Sequence, residues 1–103
     1  MKYPLVVFEK ECDMLAFKDV KKAESYLELV DVKNNEYSAF DAEGRKLVFK
    51  IDKNKFHIEE TALVQQEVLK GKLIEFIARA KKIERTKLTE LPLEKLIQLG
   101  NNG

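Results

Sequence analysis

Few residues in this chain could do covalent or acid–base chemistry, and each has a plain alternative. His57 is the one histidine. It falls in the alternating segment Phe56-His57-Ile58-Glu59, which points it away from Phe56 and Ile58. A catalytic histidine needs a nucleophile or carboxylate held against it, and Glu59 is the local candidate. A half-exposed strand histidine accounts for the same pattern. Cys12 is the one cysteine. Glu9, Glu11 and Asp13 surround it, and neighbouring carboxylates disfavour a reactive thiolate. One cysteine excludes an internal disulfide, and one histidine excludes a His-rich metal site.

Paired carboxylates occur at Glu9/Glu11, Asp41/Glu43 and Glu59/Glu60, but in a chain that is 36% charged such pairs arise by chance. The Gly71-Lys72 step lacks the upstream glycine and the Ser/Thr of a phosphate-cradling loop. The segment 79–87 carries five bases and one acid, enough to grip phosphates. On a helix those bases spread around the circumference, and bases near a helix C-terminus also complement the helix dipole. No aromatic residue interleaves with them, as single-strand stacking requires. The residues therefore predict no enzyme, no metal and no cofactor. A small nucleic-acid-binding or regulatory module using 79–87 is the alternative reading.

The formal net charge is +1, which hides an asymmetry. From Glu9 to Glu43 there are ten acids and five bases, whereas from Gly44 onward there are 13 bases and eight acids. Two regions of opposite sign can steer a charged partner at near-zero net charge.

The elements that must position these groups follow from periodicity and turn chemistry. Pro4-Leu5-Val6-Val7-Phe8-Glu9 reads as a buried strand, and Met14-Leu15-Ala16-Phe17 as its hairpin partner. Asp19 suits an N-cap for a helix carrying Val20, Ala23, Leu27 and Val30 on one face. Asp41-Ala42-Glu43-Gly44-Arg45 reads as a three-residue hairpin loop with Gly44 left-handed, which sets Ala39 opposite Leu47 and Tyr37 opposite Phe49. Phe56 to Glu59 is a fifth strand. A long helix is expected from Ala62 to Ile83, with Thr61 as N-cap and Gly71 marking a kink or a close contact. Val64, Val68, Ile74 and Ala78 form a second patch on it, either for the last helix or for a second copy. Leu93, Leu96 and Ile97 make that last helix after Pro92.

The order β-β-α-β-β-β-α-α predicts an α+β fold: a mostly antiparallel sheet of about five strands with helices packed on one face. The length of 103 residues predicts a single domain over 1–103. No apolar run approaches the ~18 residues of a membrane span. The opening Met1-Lys2-Tyr3-Pro4 has no signal-peptide layout, so a cytoplasmic protein is expected.

Ala23-Glu24-Ser25-Tyr26-Leu27-Glu28, Asp31-Val32, Asn35-Glu36-Tyr37 and Phe40-Asp41-Ala42-Glu43-Gly44-Arg45-Lys46-Leu47 form a helix-and-hairpin string. It resembles the small bacterial immunity proteins of polymorphic-toxin and contact-dependent growth inhibition systems, over about half the chain. The resemblance implies a non-enzymatic inhibitor that covers the active site of a cognate toxin domain, which is often a nuclease with a basic cleft. Such a partner is matched by acidic side chains, and Glu9, Glu11, Asp13, Glu24, Glu28 and Asp31 are the expected partner-binding residues. Glu24, Glu28 and Asp31 are spaced to share one helix face. A sequence pI of about 7.8 departs from the strongly acidic balance of many nuclease inhibitors.

Overall fold

The first apolar run organises the molecule. A computed structural model describes residues 1–10 and 13–101; the expectations for Glu11 and Cys12 lie outside the described residues. Leu5–Glu9 forms β1, and all four side chains from Leu5 to Phe8 are buried. Leu5 and Val7 enter one core, with Ala39, Leu47, Phe56 and Ile58. Val6 and Phe8 enter a second, with Phe40, Leu69, Leu73 and Ile77. A strand covered on both faces loses the polar alternation of a half-solvated one, and Leu-Val-Val-Phe has none.

The remaining elements are β2 (Met14–Phe17), α1 (Val20–Tyr26), α2 (Leu29–Lys33), β3 (Tyr37–Phe40), β4 (Arg45–Asp52), β5 (Lys55–Val64), α3 (Gln66–Lys81), α4 (Arg85–Leu88) and α5 (Leu93–Asn101). The five strands form one antiparallel sheet in the order β2-β1-β3-β4-β5. The fold is α+β, as the element order predicts. The expectation of helices on one face gives way to helices on both. Ala23 of α1 and Val32 of α2 fill the first core, and α3, α4 and α5 supply the second.

The loop between β3 and β4 forms as its sequence predicts. The Asp41 N–H donates to the Arg45 carbonyl at 2.9 Å, and Gly44 takes φ +89°. Ala39 lies opposite Leu47, but the expected Tyr37–Phe49 pair is not in the ladder, which ends at Leu47; the two rings still pack, with centroids 6.0 Å apart. Asp41 is fully buried, and its carboxylate accepts the N–H groups of Glu43 and Arg45, each at 2.9 Å, and of Lys2 at 3.2 Å. These bonds replace the water contacts that burial removes from the carboxylate oxygens. A side chain on Gly44 would bring its Cβ to 2.7 Å from the Gln66 Cα, so the loop is also a packing surface for the start of α3.

Two helices differ from their expected bounds. Asp19 caps α1, accepting the Lys22 N–H at 2.8 Å. The helix then stops, because Leu27 and Glu28 take extended backbone. The interruption restarts the helical phase: Val30 is 57% exposed, and Val32 is buried in its place. At the other site the chain stays in β5 to Val64, so α3 begins at Gln66 and not at Ala62. Thr61 does not cap α3. Its hydroxyl donates to the Lys46 carbonyl at 2.8 Å, and Arg45 Nη1 donates to the Thr61 carbonyl at 3.0 Å. These bonds hold the end of β5 against β4 beside a register irregularity between Arg45 and Leu47. The stripe on α3 still packs inward through Leu69, Leu73 and Ile77. Ile74, from the second patch, is buried in the second core, while Val68 stays 44% exposed. The helix is continuous through Gly71, where an added Cβ would meet nothing within 4 Å.

Two outcomes follow for stability. Asp41→Ala leaves three N–H donors without their acceptor and should lower unfolding free energy by about 3 kcal/mol in urea titration. Gly71→Ala, in open space within a helix, should raise it by about 1 kcal/mol.

Candidate functional site: an acid-rimmed groove

The end of β1, the approach to β3 and one side of α3 enclose a groove of about 600 Å³. Phe8, Val68 and Gly71 give it an apolar lining. Glu67, Gly71 and Glu75 sit four residues apart on α3, which sets them along one line of the helix. Glycine at the middle position leaves the space that a side chain would fill. Glu9 and Glu36 face them from the strand side, so the lining holds four glutamates against the lysines Lys10 and Lys72. The Lys72 ammonium stands 5.9 Å from the Phe8 ring centroid.

Glu75 is held in place by Arg85. The guanidinium donates through Nε at 2.8 Å and Nη2 at 2.7 Å, a two-pronged pair that ties α3 to α4. Hydrogen bonding to Arg85 holds the Glu75 carboxyl below the usual carboxylate range, with the charges of Arg85 and Arg79 adding to it.

The five expected partner-binding acids among the described residues are dispersed. Glu9 lines the groove. Asp31 accepts the Tyr37 hydroxyl at 3.2 Å, and the Glu28 backbone N–H donates to that hydroxyl at 3.4 Å. Glu24 turns to the sheet edge, where its carboxylate accepts the Ile58 N–H at 2.8 Å and lies 3.8 Å from His57 Nδ1. Because α1 ends at Tyr26 and α2 starts at Leu29, Glu24 and Glu28 do not share a helix face. Asp13 is exposed, and its carbonyl accepts the Glu9 N–H at 2.8 Å. Sequence reasoning missed Glu36, Glu67 and Glu75. The signal for the last two is the Glu67-Gly71-Glu75 spacing, in which Gly71 reads as a kink or a close contact.

The 79–87 bases divide between α3 and α4, with Lys82 left-handed between them and Arg85 engaged by Glu75. Among the described residues no group of three metal-type ligands comes together. No helix among them is long and apolar enough to cross a membrane.

Tyr37 borders the groove. Burial, first, pushes its phenol up, and the Asp31 and Glu9 carboxylates add to this, against the Glu28 N–H, which pulls it down. A phenol raised in the folded state stabilises the fold fully below the unfolded value of about 10, and that contribution is lost as pH rises past it. The wild type should therefore lose more stability between neutral and strongly alkaline pH than Tyr37→Phe does, in denaturation at matched pH values.

No family model, curated protein or solved structure matches the chain.

Proposed function

We propose that the protein is a non-enzymatic binding protein: an immunity-type inhibitor, acting in the bacterial cytoplasm, that neutralises the C-terminal toxin domain of an effector by covering its active site. The observation that carries this reading is the groove, in which four glutamates, one of them paired with Arg85, outnumber two lysines around an apolar floor of Phe8 and Val68. An apolar centre with a charged rim is the layout of a protein interface, where desolvated contacts give affinity and rim charges give association rate and partner choice. Such a rim complements a basic, phosphate-binding cleft. The resemblance of the helix-and-hairpin string to immunity proteins supplies the class of partner, and the groove supplies the surface.

Calorimetry against the toxin domain encoded beside this protein tests the reading. A nanomolar complex, about −12 kcal/mol, is expected. Reversing Glu9, Glu36 and Glu67 to lysine together should weaken it by on the order of a hundredfold, mostly through a slower association and a smaller salt dependence. Gly71→Tyr, which fills the groove from α3, should also weaken it. An unchanged affinity in both variants would remove the groove from the interface, and no complex with the wild type would remove the inhibitor reading.

A further inference from the structure

The ladder between β3 and β4 is short. Its pairs are Phe40↔Lys46 and Ala39↔Leu47, whereas β4 and β5 stay paired to Asp52↔Lys55. Val48 to Asp52 therefore pair on the β5 side alone. In an antiparallel strand the backbone groups of alternate residues point to alternate sides. The Arg45 carbonyl accepts the Asp41 N–H on the β3 side, so Phe49 and Ile51 present their N–H and C=O groups on that side too. Such an edge is a template for a further strand.

A cavity of about 340 Å³ lies along this edge, between Val32, Lys33 and Tyr37 on one side and Lys46, Phe49 and Ile51 on the other. The two faces of the edge differ in chemistry. Phe49 packs with Tyr37 on the α2 side, ring centroids 6.0 Å apart, and Ile51 beyond it is 47% exposed. Lys46 points to the opposite face, where its ammonium meets the Ser38 hydroxyl at 3.2 Å and stands 4.8 Å over the Phe40 ring. Lys50 follows Lys46 and Val48 on that face by alternation. The cavity lining contains two lysines and no carboxylate, and no ion pair among the described residues includes Lys33, Lys46 or Lys50. Burial, then the neighbouring charge of Lys72, pushes the Lys46 ammonium below its ordinary range, so an anion placed there would meet an uncompensated charge.

We propose that the free edge of β4 takes an extended, acidic segment of a partner protein by strand addition, in line with β3. Its apolar side chains lie toward Val32 and Ile51, and its carboxylates toward Lys46 and Lys50. A second copy of this chain is the poorer occupant, because pairing the edge with itself brings the same lysines together. The proposal goes beyond the groove reading and does not depend on it. Strand addition draws affinity from main-chain bonds and selectivity from alternate side chains, so the ligand is defined by pattern: extended, with apolar and acidic residues alternating.

Three short synthetic peptides test this against the intact protein by backbone-amide NMR: one alternates glutamate with valine, one alternates lysine with valine, and one is the first with its alternate amides N-methylated. The glutamate peptide should shift the Phe49 and Ile51 amides and slow their hydrogen exchange. The lysine peptide should bind at least tenfold more weakly, and N-methylation should abolish binding. The double variant Lys46→Met, Lys50→Met should lose about tenfold for the glutamate peptide while keeping its wild-type spectrum elsewhere. The Glu9, Glu36, Glu67 reversal should keep full peptide binding, so failure of the edge and failure of the groove are read separately. No binding of the glutamate peptide at millimolar concentration would overturn the proposal. So would equal affinity for both charge patterns, or full binding by the N-methylated peptide. Edge amides protected in a concentration-dependent way without peptide would assign the edge to a second copy instead.

Discussion

The double-sided burial of β1 is the constraint on which the rest of the structure depends. Four consecutive apolar side chains, Leu5 to Phe8, cannot all be covered by one layer of helices, because alternate residues of a strand point to opposite faces. Each large apolar side chain that is fully buried contributes about 1.5–3 kcal/mol, so neither face can be left wet without a large loss. The chain meets the demand in two instalments. The segment after β2 supplies α1 and α2 for one face, and the segment after β5 supplies α3 to α5 for the other. The groove follows from the second layer, since it is the space between α3 and the end of β1, and it stays open because Gly71 has no side chain.

The hairpin at Asp41 links the sheet to the second layer. Its backbone is fixed by the Asp41 carboxylate, and its tip is pressed on the first residue of α3 at Gly44. The Gln65 N–H donates to the Gly44 carbonyl at 2.7 Å, so the chain entering α3 is tied to the turn that closes β3 against β4. A loop whose local chemistry already specifies its conformation thus also sets the entry point of the longest helix. Local and tertiary preferences agree there, which is the condition for a well-defined native state.

That agreement explains what was legible in the sequence. The hairpin loop, its Ala39–Leu47 pair and the Asp19 cap are decided by neighbours a few residues away, and the sequence states them directly. The start of α3 is decided by a partner some sixteen residues back, through the Arg45 bond to the Thr61 carbonyl, and the helical pattern of 62–65 gives no sign of it. The break after Tyr26 is similar: the apolar spacing favours a longer helix, but burying Val32 needs a new phase. Helices on both faces were readable from Leu5-Val6-Val7-Phe8, which lacks alternation, and the antiparallel strand order masked that signal. The groove was the least legible feature. Its glutamates come from three separate elements, and a linear charge count pooled Glu9 with Glu24, whose carboxylate is engaged at the β5 edge.

Charge regains meaning once it is placed in space. With a net charge of +1, attraction of a partner of either sign depends on how the charges are distributed. At physiological ionic strength exposed charges act over about 8 Å, so what a partner senses is the local lining of a surface and not the whole chain. Two such linings lie side by side and meet at Tyr37, which borders both cavities. One carries four glutamates against two lysines, and the other carries lysines without carboxylates. A partner of uniform charge suits only one of them. A partner spanning both needs a basic patch and an acidic strand at matching separation, which is a stricter condition than charge attraction alone. Specificity of that kind comes from what mismatched partners suffer, since a wrong sign at either lining leaves like charges facing each other.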